Sequence, residues 1–152
     1  MNLDNEQIKY KIKGKRLLGI DFGLKRVGIA VSDELGITTT PIATLDYSAT
    51  DFWENFSKIL HKERATICVV GIPNYEYKTK SSIIKELNSF IEFLREKLNL
   101  EIYTFDESLT SNEATYTLVE IGKKKKTRKT KGEKDKVAAA IILRNFLNYY
   151  NG

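Results

Sequence analysis

Two apolar runs flank a short polar break that holds Gly23, Lys25 and Arg26. The pattern predicts strand, tight turn and strand over about 16–21 and 27–32. Both runs are apolar at successive positions, which puts the hairpin centrally in a sheet covered on both faces. Asp33-Glu34-Leu35-Gly36 makes a second turn. Ile37 to Leu45, rich in Thr and Ile, then reads as a third strand, with Pro41 marking an edge or a bulge. Ahead of the hairpin, residues 1–15 form a charged extension. There Ile8, Tyr10 and Ile12 alternate with Lys9, Lys11 and Lys13, as in a short edge strand.

The period changes after Thr50. Phe52, Trp53, Phe56, Ile59 and Leu60 recur at helical spacing, so a helix runs from a cap at Thr50 or Asp51 to about Glu63. Thr66 to Val70 is a buried strand stopped by Gly71-Ile72-Pro73. A long helix from Ser81 to Leu98 carries the stripe Ile83, Ile84, Leu87, Phe90, Ile91, Leu94 and Leu98. Glu101 to Phe105 is another strand. Thr110-Ser111-Asn112-Glu113 fits a capping box for a helix ending near Ile121 and Gly122. A last helix, Asp135 to Tyr150, has Val137, Ala138, Ile141, Ile142, Phe146 and Leu147 on its inner face. The order predicts an α/β domain: a mixed five-stranded sheet, with a three-strand antiparallel meander plus two parallel strands, flanked by helices.

The 152 residues suffice for one domain, 16–152, behind the extension 1–15. No apolar run approaches the roughly 20 residues of a membrane helix, and Met1 to Glu6 is too polar for a secretory leader. A single cysteine, Cys68, excludes an internal disulfide and fits a reducing, cytoplasmic setting; its neighbours Ile67, Val69 and Val70 make it core filler. The lone histidine, His61, lies on a helix without a co-ligand and reads as a surface residue.

Charge changes the picture more. The net charge is +5, yet residues 123–136 alone hold nine Lys or Arg against Glu133 and Asp135. That leaves the rest of the chain slightly acidic. A basic loop over 122–134, with Lys123, Lys124, Lys125, Lys126, Arg128 and Lys129, suits a phosphate backbone; the plain alternative is a solvated Lys-rich loop.

The acids fall at informative places. Asp21 ends the first strand, Asp106 and Glu107 follow the last, and Asp135 opens the final helix. If the first and last strands straddle a switch in strand order, Asp21, Glu107 and Asp135 converge at their carboxyl ends. Three carboxylates without histidine suit Mg²⁺ or Mn²⁺, which activate water and stabilise the leaving oxygen in phosphodiester cleavage. Each acid also has an ordinary reading. Asp21 caps the turn or pairs with Lys25 or Arg26, Asp106 belongs to a loop, Glu107 is a surface residue, and Asp135 is a helix N-cap.

The block Asp21-Phe22-Gly23-Leu24-Lys25-Arg26-Val27-Gly28-Ile29-Ala30-Val31-Ser32-Asp33 resembles the opening signature of the RuvX (YqgF) family. Val69-Val70-Gly71-Ile72-Pro73, Asp106-Glu107-Ser108-Leu109-Thr110 and the stretch from Asp135 to Leu143 resemble its other three blocks, in the same order. The resemblance implies a ribonuclease H-like fold and a bacterial nuclease using Mg²⁺ or Mn²⁺. The family is described both as maturing the 5′ end of pre-16S rRNA and as resolving Holliday junctions. It implies catalytic, metal-binding roles for Asp21, Glu107 and Asp135, phosphate contacts from Lys25 and Arg26, and a structured nucleic acid as partner of a monomer or homodimer. This chain departs from the pattern at Ser108, where the family has Arg, and in Asn74 to Thr79, which lacks the family's Gly.

Two other classes compete. Asp21 to Gly28 also resembles the first phosphate loop of actin-like ATPases and sugar kinases, but those need two lobes. Gly23 and Gly28 have Walker spacing, yet Ile29-Ala30 follows instead of Lys and Ser or Thr. The remaining alternative is a nucleic-acid-binding protein without catalysis, in which the three acids are structural.

Overall fold

The computed structural model describes residues 3–72, 81–106 and 131–151. Its elements run α1 (Asn5–Ile12), β1 (Leu17–Phe22), β2 (Arg26–Ser32), β3 (Thr39–Asp46), α2 (Phe52–Glu63), β4 (Ile67–Ile72), α3 (Ser81–Glu96), β5 (Glu101–Asp106) and α4 (Lys131–Asn151). The five strands form one sheet in the order β3-β2-β1-β4-β5. The β1–β2 and β2–β3 pairs are antiparallel, while β1–β4 and β4–β5 are parallel. The mixed sheet expected from the sequence is therefore present. The expected helix over 110–121 and the basic stretch up to residue 130 lie outside the described residues.

Both faces of the sheet are covered, which explains the unbroken apolar runs. Leu18, Ile20, Val27, Ile29, Cys68 and Val70 pack under α2 and α3, against Phe52, Phe56, Leu87, Phe90 and Leu94. Leu17, Ile67, Val69 and Phe105 pack on the other side against Ile8 and Ile12 of α1 and Ile142, Leu143 and Phe146 of α4. Cys68 is fully buried, and burial pushes its thiol far above the usual range, so it behaves as core. On α2, His61 is exposed. Among the described residues no helix is long and apolar enough to cross a membrane.

Two sequence expectations need correction. Residues 5–12 are a helix and not an edge strand. Asp4 caps it through Gln7 N at 2.8 Å, and Gln7 Oε1 accepts from Asp4 N at 2.8 Å, a reciprocal box that satisfies two helix-end donors. Ile8 and Ile12 are one helical turn apart and share the buried face, while Tyr10 is 82% exposed. The last helix starts at Lys131, four residues before Asp135, so Lys131 to Lys134 belong to α4 and not to a loop, and Asp135 is not its N-cap. The switch in strand order falls between β1 and β4, so the first and last strands lie on opposite sides of it, with β4 between them. Their carboxyl ends are separated by two strand spacings, about 10 Å. Pro41 does mark a bulge: the β2–β3 register slips between Ile29 and Ala30, with Ile42 as the extra residue.

An aromatic cluster closes the α2–α3 face. Phe90 lies 4.7 Å from Phe22, 5.4 Å from Trp53 and 5.9 Å from Tyr47, ring centre to ring centre. Tyr47 donates to Glu86 Oε1 at 3.2 Å, and its phenol is pushed up to about 12, first by burial and then by the Glu86 charge. Phe90 is 1% exposed and touches rings from β1, the β3–α2 connection and α2. Phe90→Ala is therefore expected to cost about 3–5 kcal/mol, measured by urea unfolding.

Candidate functional site

The candidate site lies at the end of the sheet where β1 closes, β2 opens and α4 begins against β2 and β3. Alternation along β1 sends Leu18, Ile20 and Phe22 toward α2 and α3. Leu17, Gly19 and Asp21 take the opposite face, toward α4. Asp21 pairs with Gly28 across the antiparallel hairpin, and Gly19 with Ala30, so Gly28 and Ala30 share that face.

The small residues on this face let α4 settle directly on the sheet. A Cβ built on Gly28 would stand 2.0 Å from the Asp135 carbonyl oxygen and 2.9 Å from Lys136 N. One built on Gly19 would meet the Ala139 carbonyl oxygen at 2.7 Å and Leu143 Cβ at 2.8 Å. Ala30, Val137, Ala139 and Ala140 are all buried together. The second turn of α4, with Asp135, is thus held against the residue directly across from Asp21. This brings two of the three sequence-nominated acids together on one face.

Asp135 is ion-paired. Arg26 Nε donates to Asp135 Oδ2 at 2.7 Å, with the side chains 38% and 24% exposed. Arg26 opens β2 and lies on the same face as Gly28 and Ala30, two and four residues on. Two residues earlier, Glu133 accepts from Lys136 Nζ at 2.7 Å. Glu133 was not nominated from the sequence; an acid in a helix's first turn was the available signal.

The hairpin tip sits beside this pair. Gly23 N donates to Arg26 O at 2.9 Å, closing the turn, and a Cβ on Gly23 would lie 2.8 Å from that oxygen. Lys25 is exposed in the turn, and its carbonyl accepts from Tyr47 N at 2.9 Å. Thr44 donates its hydroxyl to the Gly132 carbonyl, tying β3 to the start of α4. Lys25, Arg26, Thr44, Ser48 and Gly132, with Leu45 and Asp46, line an open cleft. Lys25 and Arg26 give this cleft a cationic side, and Asp46 is the carboxylate that lines it.

Asp106 ends β5, opposite Ile72, and is exposed. Glu107 lies outside the described residues, as do Lys123, Lys124, Lys125, Lys126, Arg128 and Lys129. Among the described residues no group of three His, Cys, Asp or Glu side chains is arranged to hold a metal ion.

The family model of RuvX, described as Holliday junction resolvase, matches residues 15–149. The chain belongs to the RuvX family. A protein of Amoebophilus asiaticus named "Putative pre-16S rRNA nuclease" is 39% identical over 89% of this chain and 95% of its own length. One from Endomicrobium trichonymphae with the same name is 38% identical over 88% and 95%. By fold, the chain resembles Thermus thermophilus RuvC solved with a Holliday junction substrate, with a TM-score of 0.60 and 13% identity over 91% of this chain and 96% of the other. The RuvX match spans Asp21, Arg26, Gly28 and Asp135, and it begins after α1.

Gly28→Ala tests how the site is held. The added methyl has backbone on its path rather than a movable side chain, so overpacking is expected to cost about 3 kcal/mol. The melting temperature should fall by roughly 6–12 °C, followed by circular dichroism.

Proposed function

We propose that this RuvX protein is a divalent-metal-dependent phosphodiester nuclease acting on structured nucleic acid in the cytoplasm, with the 5′ end of pre-16S rRNA as its substrate. The carrying observation is the shared placement of Asp21 and Asp135 on one face, enforced by the packing of α4 on Gly28, in a chain whose relatives bear the pre-16S rRNA nuclease name. The donor set fits the cation: carboxylate oxygens, partly exposed, with no histidine or thiol among the described residues nearby. Asp21 and Asp135, joined by Glu107, would hold Mg²⁺ or Mn²⁺. When bound, such a cation supplies an activated water nucleophile and neutralises charge developing at phosphorus.

The chain's own groups do the rest. Lys25 and Arg26 at the hairpin tip receive the phosphate backbone and fix its register against the carboxylates. Lys123, Lys124, Lys125, Lys126, Arg128 and Lys129 extend that cationic surface and supply non-specific affinity. A second reading, cleavage of four-way DNA junctions, is favoured by the description of the matching family. The chemistry is common to both substrates.

End-labelled pre-16S rRNA and a four-way DNA junction, each incubated with Mg²⁺ or Mn²⁺, separate the readings. Metal-dependent cleavage of the RNA is expected, and cleavage of the junction alone would establish the second reading instead. Asp21→Asn is expected to lower the rate at least about a hundredfold while leaving the melting curve and RNA retention near wild type, since it removes a cation ligand and not a phosphate-binding group. Equal cleavage by both proteins would reject the assignment.

Replacing Lys123 to Lys126 by Gln should weaken RNA binding and flatten its salt dependence. The slope of log affinity against log salt should fall by about 0.7 to 0.9 for each phosphate that is no longer neutralised. An unchanged slope would remove this segment from the interface.

A further inference from the structure

We propose that Arg26 is the resting counter-ion of Asp135: it occupies the carboxylate until a divalent cation displaces it, and it thereby sets how tightly that cation binds. The proposal deepens the metal reading above and rests on it. It starts from the 2.7 Å bond between Arg26 Nε and Asp135 Oδ2.

The bond joins residues 109 apart in the chain and is fixed at both ends by rigid elements. Arg26 is the first residue of β2, and Asp135 sits where α4 presses its backbone onto Gly28. Neither side chain has to travel to meet the other.

Asp135 is about three-quarters buried, so an ionised carboxylate there is costly without a positive partner. The guanidinium is that partner when no metal is bound. A divalent cation that takes Oδ2 competes with the guanidinium for the same oxygen, and the repulsion of two positive charges within about 4 Å at a partly desolvated site favours displacement of Arg26. Binding of the cation therefore includes breaking the Arg26 bond, and the measured affinity is lower by that amount.

Displacement leaves the guanidinium at the rim of the cleft it already lines with Lys25, Thr44, Asp46 and Ser48. One side chain thus has two partners of like charge, a carboxylate at rest and a phosphate when the cation is present. By linkage, a polyanion that draws Arg26 away from Asp135 tightens the cation to the same degree.

The test is calorimetric titration of MnCl₂, without nucleic acid, into the full-length wild-type protein, Arg26→Gln, Arg26→Met, Asp21→Asn and Asp135→Asn. Melting curves identify the folded variants. Arg26→Met retains much of the aliphatic stem and removes the charge, so either Arg26 variant can give the readout. The expected result is a Kd for Mn²⁺ about two- to fivefold lower than wild type in the Arg26 variants, the range of a partly exposed ion pair. Asp135→Asn should weaken binding more than tenfold.

If the folded Arg26 variants bind Mn²⁺ no more tightly than wild type while Asp135→Asn loses it, the counter-ion role is wrong and the metal site stands. If Asp21→Asn and Asp135→Asn both bind Mn²⁺ like wild type, the metal site itself is wrong and the proposal falls with it.

Discussion

The close approach of the α4 backbone to the glycines of the hairpin is the constraint on which the candidate site depends. Helices usually stand off a sheet by the length of their side chains, about 10 Å between axis and sheet. Here Gly19, Gly28 and Ala30, facing Ala139 and Ala140, remove those spacers. The second turn of α4 therefore touches β2 directly, and Asp135 lies next to the strand pair that carries Asp21. Larger side chains at these positions would lift the helix and draw the two carboxylates apart. The glycines are thus part of the site's geometry without contributing a functional group.

Charge is arranged around this packing by the same economy of space. Acids gather in the first two turns of α4, where the helix dipole favours them, and each has a cation at hand: Lys136 for Glu133 and Arg26 for Asp135. Toward its opposite end the inner face of α4 is apolar, with Phe146 and Leu147 buried beside α1 and the start of β1. One helix therefore serves as anchor along its lower turns and as carrier of chemistry along its upper ones. Stability and site placement are coupled through it.

The sequence told the hairpin, the strands and most helices plainly, because their periods are long and their breaks are marked by Gly, Pro or Asp. It misled where two periods coincide. Ile8, Tyr10 and Ile12 fit both alternation and the spacing of one helical turn, and the Asp4–Gln7 box was the decisive cue. The start of α4 was obscured by Lys131, Gly132 and Lys134, which read as loop although the backbone there is already helical. Their places at strand ends and at the last helix, and then the family signature, nominated Asp21, Glu107 and Asp135, but spacing carried no information on which strands are neighbours. That β4 separates β1 from β5 is a property of the assembled sheet. Nor could spacing reveal the Arg26–Asp135 bond, since its two ends meet only through the packing of α4 on Gly28.

The bulge on β3 has a consequence for how copies of this chain can meet. An exposed outer strand is a template for a further strand, whether from a partner or from an aggregating neighbour. On β3, Pro41 removes a backbone donor and the adjacent Ile42 breaks the regular ladder. Both features discourage a continuous sheet from running across two molecules along that edge. Crowded copies are thereby steered away from fibre-like stacking, and any orderly association is left to other surfaces of the molecule.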